Sequence, residues 1–86
     1  MVTCKITINN TLGLHARPIA LLKKALKDYK NTKVTVKKAN KSANAQNAYE
    51  MMFLDVLCGE EVEIIAEGPH EKEALELTVK IFSENF

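Results

Sequence analysis

Residues 2–9 alternate between apolar and polar side chains: Val2, Cys4, Ile6 and Ile8 against Thr3, Lys5, Thr7 and Asn9. A period of two is that of a half-buried strand, and it predicts Cys4 in the core beside Ile6 and Ile8. After a loop at Thr11-Leu12-Gly13 the period lengthens. Ile19, Leu22, Ala25, Leu26 and Tyr29 fall on one stripe of a helix running from about Ala16 to Tyr29, and Leu21 lies on the opposite side, near Arg17 and Lys24. Asn31-Thr32 ends this helix. Lys33 to Lys38 alternates again with Val34 and Val36 inward, Ala39-Asn40 turns the chain, and a short strand is predicted over Lys41 to Asn44.

Asn47 is a good N-cap for a short helix reaching about Val56. That segment is apolar nearly all round (Ala48, Tyr49, Met51, Met52, Phe53, Leu54, Val56), so part of it is expected at the surface as an adhesive patch. Gly59 breaks the chain. Glu61 to Glu67 alternates with Val62, Ile64 and Ala66 inward; Gly68-Pro69 turns; and Glu71 to Glu84 reads as a last helix burying Ala74, Leu75, Leu77, Thr78, Ile81 and Phe82. The order βαββαβα, with four amphipathic strands and singly striped helices, predicts an α+β domain: a four-stranded antiparallel sheet covered on one face by three helices.

The chain has 86 residues, 47% of them apolar, which suits a single domain over residues 1–86 with a small core. No signal peptide and no membrane span is expected. Cys4 and Cys58 stand far apart and outside any Cys-x-x-Cys spacing, so neither a disulfide nor structural zinc is expected, and the compartment reads as cytoplasmic. His70 has no second ligand at a metal-binding spacing, and no cofactor is indicated. The net charge of +1 hides a split: residues 1–43 sum to +9 and residues 44–86 to −8. A basic region of this kind either steers an acidic partner or is neutralised locally when the halves pack.

Chemistry concentrates in Gly13-Leu14-His15-Ala16-Arg17-Pro18. Proline in a first helical turn loses no hydrogen bond, so a helix can start here with His15 just before it. The backbone amides of Ala16 and Arg17 then lack internal acceptors and carry the positive end of the helix dipole, an arrangement suited to phosphate. A neutral imidazole is a nucleophile. The segment therefore describes a histidine able to accept a phosphoryl group beside groups that neutralise it.

This hexapeptide, together with Lys41-Ser42-Ala43-Asn44, with Ala66-Glu67-Gly68 and with Glu71-Lys72-Glu73-Ala74-Leu75, resembles the HPr family, the histidine-containing phosphocarriers of the bacterial phosphoenolpyruvate-dependent sugar phosphotransferase system. The resemblance covers essentially the whole chain and implies an open-faced β-sandwich. It implies a carrier rather than a catalyst: His15 accepts a phosphoryl group from enzyme I on Nδ1 and passes it to the A domain of a sugar-specific enzyme II (enzyme IIA). Arg17 matches the family arginine beside the phosphate, where a planar fork suits the anion. Both the cation and the helix N-terminus favour the neutral ring. Ala20, Leu21, Lys24, Lys27, Ala48, Tyr49 and Met52 match a docking face, with Met51 and Leu54 inside, and a monomer is expected of a transient carrier.

Two positions depart from the family pattern. Asn47 stands where many relatives carry a regulatory serine; it can cap the helix but has no hydroxyl to phosphorylate, and Ser42 does not align with that site. Glu50 stands where glycine or lysine is usual, which predicts weaker docking to a typical enzyme I, or an adapted partner. Leu12 replaces a residue that is often polar. A regulatory relative that binds partners without sugar transport is the alternative. An RNA-binding sheet is disfavoured, because all five aromatics (Tyr29, Tyr49, Phe53, Phe82, Phe86) fall outside the predicted strands.

Overall fold

The computed structural model describes residues 1–10 and 12–83. Eight elements follow one another: β1 (Val2–Thr7), α1 (Ala16–Ala25), a 3₁₀ turn (Leu26–Asp28), β2 (Lys33–Lys38), β3 (Lys41–Asn44), α2 (Ala48–Leu54), β4 (Glu61–Glu67) and α3 (Glu71–Ser83). The strands form one antiparallel sheet in the order β1-β4-β2-β3. β4 pairs with both β1 and β2, so the two strands with the cleanest alternation, β2 and β4, occupy the centre. Residues Val34, Val36, Val62, Ile64 and Ala66 point from them into the core. The opposite face carries polar cross-strand rows, among them Lys5–Glu63–Lys37, with the acid placed between two lysines.

α3 packs on β4, β1 and β2, α2 packs on β3, and α1 lies against α2 and α3. Ile19, Leu22 and Leu26 from the α1 segment join Met51, Leu54, Ala74 and Phe82 in the common core. Leu22 is fully buried, and its truncation to alanine belongs to the class of changes costing about 2–5 kcal/mol. Together the elements form the α+β open-faced sandwich that the alternation predicts.

Three expectations change. The first helix does not continue regularly to Tyr29: after Ala25 it tightens into the 3₁₀ turn. Its last carbonyls are taken up from across the fold, because Gln46 Nε2 donates to Leu26 O (3.4 Å) and Tyr29 O (3.1 Å). The second helix stops at Leu54 rather than near Val56, since Asp55 adopts a left-handed conformation (φ 53°) and turns the chain out. Cys4 is half-buried rather than in the core. β1 is an edge strand, where helix cover is thinner, and its neighbours Val2 and Ile6 are also only partly covered. The expected end of the last helix at Glu84, the loop residue Thr11 and the aromatic Phe86 lie outside the described residues. The other four aromatics all fall outside the strands.

Candidate phosphoryl-acceptor site

Local backbone chemistry fixes the loop that carries His15. Gly13 has φ 69°, and its amide donates to Asn10 O at 2.8 Å. A Cβ at this position would stand 2.2 Å from Val56 O and 2.9 Å from Leu57 Cα, so only glycine permits so close an approach. Leu14 N then donates to that same Val56 carbonyl at 3.0 Å. The loop is thus bonded to the connection between α2 and β4.

His15 follows as the N-cap residue of α1, with extended backbone (φ −103°, ψ −172°), and its carbonyl accepts the first helical bond from Ile19 N at 3.3 Å. Its side chain makes no capping bond, so the imidazole is not spent on its own helix. The residue is half-buried, and Nε2 is enclosed with no hydrogen-bond partner among the described residues. Ala16 and Arg17 are exposed in the first turn, which contains no acid, while Pro18 is buried behind them.

Along α1, Ala20, Lys24 and Lys27 line an open groove of about 600 Å3 together with Lys23, Leu26, Lys30 and Gln46. Four lysines surround an apolar floor, and among the described residues no acid lines it. Leu21 is 37% exposed on the outer side of the helix. On α2, Asn47 Oδ1 accepts from Tyr49 N (3.0 Å) and Glu50 N (3.2 Å), so asparagine caps the helix. Met51 and Leu54 are buried, Tyr49 is 79% exposed and Met52 is also exposed. Ala48 is the exception in the expected docking set, being half-buried against the core.

Glu50 takes a different position from the one its sequence suggests. Its Oε1 accepts the backbone amide of Asn44 at 3.1 Å, and its side chain borders a small cleft with Lys41, Ser42 and Phe53. It therefore faces β3, a quarter turn away from Tyr49. Phe53, 80% exposed, extends the apolar patch in the same direction, with Leu12 and Leu57 exposed near the His15 loop. The docking set expected from the sequence leaves out Phe53, although it belongs to the expected adhesive patch, and also Leu57, Lys23 and Lys30. The two lysines were findable, since they share the helical spacing of Ala20, Lys24 and Lys27. Nothing in the sequence marks the Val56 carbonyl as a support.

With this geometry in view, comparisons with known proteins agree. The family described as "PTS HPr component phosphorylation site" matches residues 2–84. The phosphocarrier protein HPr of Treponema pallidum is 31% identical over 86 residues, covering 100% of this chain and 97% of that protein. The phosphocarrier protein NPr of Klebsiella oxytoca is 32% identical, covering 94% of this chain and 90% of its own. The crystal structure of HPr-C-His from Thermoanaerobacter tengcongensis superposes with a TM-score of 0.88 at 36% identity, covering 100% of both chains. The chain belongs to the HPr family of phosphotransferase-system phosphocarriers. Among the described residues, no helix is long and apolar enough to cross a membrane.

Proposed function

We propose that this protein, a single cytoplasmic domain acting as a monomer, accepts a phosphoryl group on His15 from enzyme I and passes it to an enzyme IIA. The observation carrying this reading is the state of the His15 ring. It begins a helix without capping it, and Nε2 is the ring nitrogen enclosed by protein. The family resemblance implies attack on phosphorus through the other ring nitrogen, Nδ1, whose lone pair is free in the Nε2–H tautomer. As the N–P bond forms at Nδ1, the donor's bond to phosphorus breaks, and charge accumulates on the phosphoryl oxygens. The amides of Ala16 and Arg17 lie in the first turn beside His15, and in this proposal they and the Arg17 side chain neutralise that charge. Catalysis of this kind consists of positioning and charge neutralisation.

Docking falls to the lysine-framed groove of α1 and to Tyr49 and Met52 on α2. The apolar residues supply contact area, and Lys24 and Lys27 raise the rate of encounter with an acidic partner. The test is incubation with phosphoenolpyruvate and enzyme I. The expected product is an acid-labile, base-stable phosphate on His15 that an enzyme IIA removes; absence of any His15-dependent phosphate refutes the proposal.

A further inference from the structure

We propose that Lys38 is a positioning residue for phosphoryl transfer at His15, acting through the 55–60 connection whose Val56 carbonyl supports the His15 loop. The inference rests on the carrier reading above. Lys38 ends β2, and its side chain is only 19% exposed. Its Nζ donates to the carbonyl of Asp55, the left-handed residue that ends α2, and also pairs with Glu60 Oε1 at 2.9 Å. The same Glu60 oxygen accepts the Leu57 amide at 2.7 Å, and Glu60 N returns a bond to Leu57 O at 3.1 Å. One ammonium group therefore ties both ends of a six-residue connection. Val56, 2% exposed, sits within it and offers its carbonyl to Leu14 N.

The far side of the connection is held by the end of β1, where Ile8 N donates to Glu60 O (2.9 Å) and Gly59 N to Ile8 O (2.7 Å). Among the described residues the Asp55 end has no such strand partner, and there Lys38 supplies the tie from another element. Releasing it lets Val56 move, and the Gly13-Leu14 segment, bonded to the Val56 carbonyl through Leu14 N at 3.0 Å, moves with it. A displacement of the nucleophile by a fraction of an ångström lowers transfer without altering the lysine groove that receives the partner.

The experiment compares Lys38→Met with Lys38→Arg, which keeps a cation at the site. In Lys38→Met, amide hydrogen exchange at Leu14 and Leu57 is expected to quicken about tenfold while Ile64, in the middle of β4, stays unchanged. The turnover rate for phosphorylation by enzyme I is expected to fall roughly three- to tenfold, with KM for this protein changed less than twofold. Lys38→Arg restores both. Three results overturn the proposal: unchanged exchange at Leu14, faster exchange spread equally over all amides, or a loss expressed in KM alone. If the wild-type protein takes up no phosphate, the carrier reading fails, and the exchange measurement still decides whether Lys38 restrains the His15 loop.

Discussion

His15 and His70 each stand immediately before the first residue of a helix, and each offers its carbonyl to the first helical amide bond, from Ile19 N at 3.3 Å and from Ala74 N at 3.0 Å. Everything around the two rings differs. The first turn of α1 holds no acid and contains Arg17; the first turn of α3 holds Glu71 and Glu73. The His15 ring is half-buried, with Nε2 enclosed. The His70 ring is 69% exposed, lies 3.7 Å from Glu73 Oε1, and meets the Tyr29 ring edge-on at 6.3 Å. Glu73 also accepts the Tyr29 hydroxyl at 3.1 Å, and burial together with that carboxylate pushes the phenol up from its ordinary value. What distinguishes the two helix starts is the charge carried in the first turn and how far the ring is enclosed.

The largest test of this contrast removes each ring in turn. His15→Ala is expected to abolish enzyme I-dependent phosphorylation, and His70→Ala to leave its rate within a factor of about two; phosphate retained by His15→Ala reverses the assignment. Next in size is Gly13→Ala, which drives a methyl group into the Val56 carbonyl and forces a positive φ on alanine. A loss of at least about 2 kcal/mol in urea unfolding is expected, against a smaller loss for Gly59→Ala, whose added methyl meets nothing within 4 Å.

Third, the electrostatics can be exchanged. Ala16→Glu places an acid where α3 already has one, and the reactivity of His15 toward a small donor such as phosphoramidate should fall on the order of tenfold. An unchanged rate means that the helix N-terminus is irrelevant to the chemistry. A smaller effect is expected of Glu50→Lys. Glu50 accepts the Asn44 amide and supports the first turn of α2, so its loss should reduce stability by about 0.3–1 kcal/mol while the transfer rate changes less than twofold. A large change in rate would show that the carboxylate reaches the partner after all.

The acids in the first turn of α3 have structural partners, and pH reveals one of them. Glu71 accepts from the terminal ammonium of Met1 at 2.8 Å and from Gly68 N at 3.3 Å, and these bonds, the ammonium first, hold its carboxyl below the ordinary glutamate value of 4.5. A folded-state value below the unfolded one gives stability that is present above pH 4.5 and is lost as pH falls through the folded value. Urea midpoints measured at pH 6 and pH 3.5 should therefore draw closer in Glu71→Gln than in the wild type. An equal acid loss in both proteins would contradict this.

Much of this was legible in the chain. Alternation in β2 and β4 reports directly on a sheet with one covered face, because successive side chains of a strand point to opposite sides. The α1 stripe likewise reports Ile19, Leu22 and Leu26, and Asn47 announces its helix through its own side-chain oxygen. Gly13 to Pro18 disclosed the turn and the helix start that follow His15, since each residue acts on its immediate neighbours. Less legible was α2. Its composition is apolar all round, so its own pattern left the inward side open; the family resemblance implied Met51 and Leu54 inside with Tyr49 and Met52 outside, and packing against β3 turns them that way and Phe53 outward as well.

Local order thus determined the strands, the helices and the placement of a histidine at a helix start, because periodicity, capping and turn preferences are properties of adjacent residues. Tertiary structure alone decided that the Val56 carbonyl would carry the His15 loop, that Gln46 would take up the carbonyls that follow α1, and that Glu50 would face β3. Each of these is a hydrogen bond to a backbone group brought near by folding. Backbone groups are the same at every position, so no residue type marks in advance which of them will be used.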